Sequence, residues 1–143
     1  MEFATNIQEN AYVSWHNGKK KLENDFFLFS TFLVPKKLEL ILSGNAYATQ
    51  HSRQGVYVLS KEKFNEHPVW LTSDNRSIRF EKEHGNCWYV GDKGNHGSRG
   101  GGLAGPENND LLPQEIKNGW RYQDYGWTTA NPGDVVFKVV GKD

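Results

Sequence analysis

Between residues 55 and 92 the chain repeats one pattern, a short apolar or aromatic run followed by turn-forming residues. GVYVLS (55–60), HPVWLTS (67–73), RSIRFEKE (76–83) and NCWYVGD (86–92) are rich in the β-branched and aromatic side chains that suit a pleated sheet. Asp74-Asn75 and His84-Gly85-Asn86 separate the last three runs, and these residue types accept tight reversals. Connections this short leave only antiparallel neighbours, because a parallel crossover needs about a dozen residues. The segment therefore reads as a four-stranded antiparallel meander. Within RSIRFEKE, Ile78 and Phe80 alternate with Ser77, Arg79 and Glu81. That assigns the first pair to a dry face and the other three to a wet one. Trp88 and Val90 likewise oppose Cys87 and Tyr89. One of the two large rings must then lean toward the outer face, or a second layer covers it.

The flanking sequence continues in the same style. AYVSW (11–15) precedes Asn17-Gly18, a hairpin-turn dipeptide that tolerates positive φ. DFFLFSTFLV (25–34) carries apolar residues on both faces and ends at Pro35, which reads as a central strand buried on both sides. LELILSG (38–44) gives a further strand, and DVVFKVVG (134–141) a buried closing strand. No helix longer than about two turns is expected. The expected fold is all-β, an antiparallel sandwich or barrel-like domain with a central four-stranded meander and a long Gly-rich loop. Residues 1–10 read as a flexible N-terminal tail and residues 11–143 as a single β-rich domain. Aromatic residues make up 13% of the chain, so Phe, Tyr and Trp must build much of the core, Trp70 and Trp88 foremost.

Charge and motif content exclude several functions. The 17 Lys and Arg balance the 17 Asp and Glu, so no overall field draws in nucleic acid. The one tight basic run, Lys19 to Lys21, follows a turn and reads as solvated. No membrane span is expected, because no run approaches the roughly 20 apolar residues that one requires. MEFATNIQEN shows no signal-peptide pattern, and the single cysteine, Cys87, points to a reducing, cytoplasmic setting and a buried inert thiol. No cofactor or metal site is expected. The five histidines form no HxH or HExxH arrangement. Glu107, Asn108, Asn109 and Asp110 match no calcium loop. Gly94, Gly97 and Gly100 lack both the Walker lysine and the following helix of a nucleotide cradle.

Two adjacent segments remain as candidates for function. Residues 91–105 contain seven glycines, and the stretch 91–110 is too long for a tight turn. It reads as a flap without regular structure, where a ligand would meet backbone amides together with Asn95, His96 and Arg99. WRYQDYGW (120–127) follows it. If extended, this segment places Trp120, Tyr122 and Asp124 on one face and Tyr125 and Trp127 on the other, with Gly126 marking a bulge. Flat rings beside Asn95, Arg99 and Asp124 suit a sugar, whose C–H faces stack on aromatics while its hydroxyls bond polar groups. The sequence therefore points to a non-catalytic binding module with a glycan or protein ligand, carbohydrate recognition leading. The alternatives are a structural or assembly subunit, homo-oligomeric through a sheet edge or through DFFLFSTFLV, and a small hydrolase using His with Asp or Glu. Glu81 and Glu83, on one strand face, are the paired carboxylates nearest in sequence.

Overall fold

The computed structural model describes residues 26–29, 32–97 and 100–141, with side chains from residue 34 onward except that of Asn95. The tail 1–10, AYVSW, the Asn17-Gly18 turn, the Lys19 to Lys21 run and Arg99 lie outside the described residues. The chain divides into two compact units, Met1–Lys37 with Val140–Asp143, and Leu38–Val139.

In the first unit, β1 (Phe26–Phe29) and β2 (Phe32–Pro35) form an antiparallel hairpin, with Phe26 opposite Pro35 and Phe29 opposite Phe32. DFFLFSTFLV is therefore not one central strand. The apolar runs on either side of Ser30 and Thr31 in the sequence pair with each other.

The second unit is built on a nine-stranded sheet. Its strands are β3 (Lys37–Leu42), β4 (Gly55–Phe64), β5 (His67–Leu71), β6 (Arg76–Glu81) and β7 (Cys87–Asp92). They continue with β8 (Leu103–Ala104), β9 (Arg121–Gln123), β10 (Trp127–Thr129) and β11 (Val135–Val139). One short helix, α1 (Gly44–Gln50), lies between β3 and β4. The order across the sheet is β10-β9-β8-β7-β6-β5-β4-β3-β11. The predicted meander is present as β4 to β7, and it continues through β8, β9 and β10. Asn75 and Asn86 hold positive φ in the turns on either side of β6, the conformation for which their residue type was read.

The order forces the sheet to bend. β10 and β11 are the two ends of the series, yet only residues 130–134 join them. A connector of that length reaches about 20 Å at most, whereas a flat sheet of nine strands is about 38 Å wide. The sheet therefore curls into a half-barrel, the barrel-like one of the two expected architectures. On its inner face the cross-strand register aligns Trp70 with Ile78, Ile78 with Val90, Phe80 with Trp88, and Leu103 with both Val90 and Tyr122. Leu40 opposite Phe137 and Leu42 opposite Val135 continue the buried set on β3 and β11. The Trp120 ring packs 4.7 Å from the Phe137 ring, so the start of β9 meets β11 across the bend. Strand β11 was read as buried throughout. It is an end strand instead, with Val135 and Phe137 inside and Val136 and Lys138 exposed, because only one of its faces looks into the half-barrel.

Candidate functional site

The outer face of β6 and β7 departs most from the sequence reading. Ser77, Arg79 and Glu81, the residues assigned to a wet face, are almost wholly buried. They do point away from the core, but His96, Gly97 and Gly100 meet them as a second layer. The Arg79 guanidinium donates through Nε to the Glu81 carboxylate and through Nη2 to the Gly100 carbonyl at 2.7 Å. It also lies 5.3 Å from the centre of the Tyr89 ring. Glu81 accepts in addition from the Gly97 amide at 2.8 Å. His96 Nε2 lies 2.9 Å from the Ser77 hydroxyl, and His84 Nε2 donates to the Gly97 carbonyl at 3.0 Å. A buried ion pair persists only where further hydrogen bonds offset its desolvation, and the turn at 93–97 supplies them. Burial and the Arg79 charge hold His96 below the ordinary histidine pKa. Glu83 lies in the turn after β6, not on the strand, so it forms no carboxylate pair with Glu81.

The glycines now have a physical reason. A Cβ on Gly91 would stand 2.6 Å from the Gly101 Cα, and one on Gly101 would stand 3.0 Å from the Val90 carbonyl oxygen. Backbone meets backbone here, and side chains would hold the layers apart. The stretch is also not devoid of regular structure: Lys93–Asn95 forms a 3-10 turn, and Leu103–Ala104 is strand β8. Asn95 belongs to that turn.

WRYQDYGW is likewise not one extended segment. It is the β9–β10 hairpin, with Asp124, Tyr125 and Gly126 as its turn. Tyr125 and Gly126 have φ of 61° and 145°, and the Asp124 amide donates to the Gly126 carbonyl at 2.8 Å. Gly126 thus marks a reversal where a bulge was expected. Trp120 and Tyr122 face inward and are buried, so neither is a ligand platform; Trp120 donates its indole N–H to the Ile116 carbonyl at 3.1 Å. Asp124 is exposed, the Tyr125 side chain is fully exposed, and Trp127 is half-buried.

Hairpin and glycine-rich segment adjoin on the outer face. The Gln123 amide donates to the Gly102 carbonyl at 3.0 Å. Trp127 meets Tyr89 edge-to-face with ring centres 6.0 Å apart, while the Arg121 guanidinium lies 5.5 Å from the Trp127 ring. Arg121 is fixed by its 2.6 Å bond to the Gly105 carbonyl and also reaches the buried Cys87 sulfur at 3.5 Å. The result is a corner in which Trp127 rests on Tyr89 and Arg121 beside glycine backbone, with the exposed Tyr125 in the adjoining turn. Sequence reasoning missed Arg79, Tyr89 and Arg121 as parts of this base. The available signal was the glycine run, which implies close approach to another backbone and hence a covered face beneath it.

Among the described residues no three His, Cys, Asp or Glu side chains gather as metal ligands. Among them, too, no helix is long and apolar enough to cross a membrane. Comparison of the chain with protein-family models, curated proteins and solved structures finds no significant match.

Proposed function

We propose that this chain is a non-catalytic binding module that engages a carbohydrate through the corner formed by Tyr125 and Trp127. The observation that carries this reading is Tyr125. Its ring is fully exposed, and its backbone occupies the left-handed region at φ 61°. A tyrosine there costs on the order of 1 kcal/mol where Asn or Gly would sit without strain. An exposed ring recovers none of that cost by packing inside the chain, so a contact outside the chain accounts for its presence. Trp127 adds a second ring, held in place by Tyr89 and Arg121. Asp124 and Gln123 bring polar groups alongside for sugar hydroxyls, a mixed apolar and polar setting suited to a pyranose.

The test is a glycan array with wild type, Tyr125→Ala and Trp127→Ala. Selective binding in wild type that falls at least about tenfold in Tyr125→Ala, with an unchanged melting transition, is the expected result. A blank array for well-folded protein overturns the carbohydrate reading. A second reading, assembly through protein contacts, draws on a different surface. Ile41, Val56, Val58 and Val136 are exposed on the neighbouring strands β3, β4 and β11. Light scattering separates the two readings, because an assembly subunit is oligomeric without any ligand.

A further inference from the structure

We propose that His96 is a pH-sensitive latch: its neutral imidazole keeps the turn at residues 93–97 docked on β6, and its protonation undocks that turn. The inference is independent of what the corner binds.

The turn is held at both ends. At its start the Lys93 amide donates to the Asn75 carbonyl at 2.6 Å. At its finish the Gly97 amide donates to Glu81 and the Gly97 carbonyl accepts from His84. Between them His96 inserts. Its Nε2 meets the buried Ser77 hydroxyl, and its ring packs 5.0 Å from the Phe64 ring. Beneath this turn lies the buried Arg79–Glu81 pair, whose carboxylate accepts from the Gly97 amide and from Arg79.

The charges around His96 decide the direction. Strand β6 presents Arg79 and Glu81, the turn itself presents Lys93, and β4 contributes only the uncharged Phe64 ring. His84 stands across the Gly97 carbonyl. Among the described residues two cations therefore oppose one anion, and that anion is already engaged by Arg79 and the Gly97 amide. A proton on His96 places a further positive charge in a partly desolvated site beside Arg79. It also makes Nε2 a donor toward Ser77, whose hydroxyl must then turn its own proton away from the bond. His84 does not act the same way. Its Nε2 donates to a carbonyl in the neutral and the protonated form alike, so that bond survives acidification.

The sign follows from linkage. Burial and Arg79 depress the docked-state pKa of His96, while an undocked, solvated histidine titrates near the usual ~6.5. The undocked turn thus binds the proton more readily. Docking is at full strength above pH ~6.5 and weakens as the pH falls from there through the docked-state pKa.

The experiment is amide hydrogen exchange at Gly97 followed by NMR from pH 7.5 to pH 5, corrected for the intrinsic exchange rate, in wild type and His96→Gln. Glutamine keeps a neutral hydrogen-bonding group toward Ser77 but carries no titrating proton. Gly97 protection should fall across this range in wild type, by just under about tenfold for one pH unit of pKa depression and by at most about thirtyfold for a larger one, and stay flat in His96→Gln. Constant protection in wild type, or the same fall in His96→Gln, overturns the latch. Should His96→Gln leave the turn undocked at every pH, direct NMR titration of the His96 ring in wild type decides. A midpoint below ~6.5 that tracks the loss of Gly97 protection supports the latch, and a midpoint at or above ~6.5 overturns it.

Discussion

At the scale of single residues, Arg79 and Glu81 show what alternation along a strand does and does not encode. The period of two in RSIRFEKE correctly separates Ile78 and Phe80 from Ser77, Arg79 and Glu81. It carries no information about what lies beyond each face. The covering layer includes Gly97 and Gly100, which have no side chains through which to announce a partner. The consequence is an energetic one. Glu81→Gln removes the carboxylate that the buried Arg79 guanidinium pairs with. The variant should lose about 3–5 kcal/mol of stability, the usual cost of breaking a buried pair by removing one partner. The double substitution Arg79→Met with Glu81→Gln removes the stranded charge and should recover a large part of that loss. Urea denaturation of the three proteins checks both statements. Equal stability of Glu81→Gln and wild type would mean that the pair is not desolvated in solution.

At the scale of elements, the strands of the meander were legible and the glycine-rich segment and the β9–β10 hairpin were not. On either side of β6 the reversals carry Asn or Gly at positive φ, at Asn75, Gly85 and Asn86, while the β4–β5 reversal holds Asn65 and Glu66 there. In WRYQDYGW the first positive-φ position is held by Tyr125, a residue type that gives no turn signal, so the segment reads as one strand. The glycine-rich segment was misread because glycine is equally at home in a loose loop and in a tight backbone contact. The structure distinguishes the two glycine by glycine. Gly91→Ala places a methyl 2.6 Å from the Gly101 Cα, where backbone has to move, and should cost roughly 1–3 kcal/mol as an overpacking change. Gly94→Ala meets nothing within 4 Å and should fall within about 0.5 kcal/mol of wild type. Thermal denaturation of the two variants reads out the contrast. A segment that is only a loose connector would leave both near neutral.

At the scale of the whole sheet, the all-β class was legible and the curl was not. The class follows from local runs and turns. The curl follows from one non-local fact, that β11 joins β3 at the end of the series opposite β10. The five connecting residues are plain in the sequence, yet their shortness constrains nothing until the partner of β11 is known. Once it is known, Trp120 changes meaning, from a candidate platform to the side chain that meets Phe137 where the bend brings β9 and β11 together. Trp120→Ala should therefore cost about 3–5 kcal/mol, as large core aromatics do. A lost core tryptophan is destabilising in a flat sheet as well, so the single substitution does not test the curl. The pairwise term does. Trp120, at the start of β9, and Phe137, on β11, are separated by six other strands in sheet order, and only curling brings their rings to 4.7 Å. A double-mutant cycle with Trp120→Ala and Phe137→Ala should yield a coupling of about 0.5–1.5 kcal/mol, the range for aromatic pairs in contact. Full additivity would place the two rings out of contact and remove the bend from the sheet in solution.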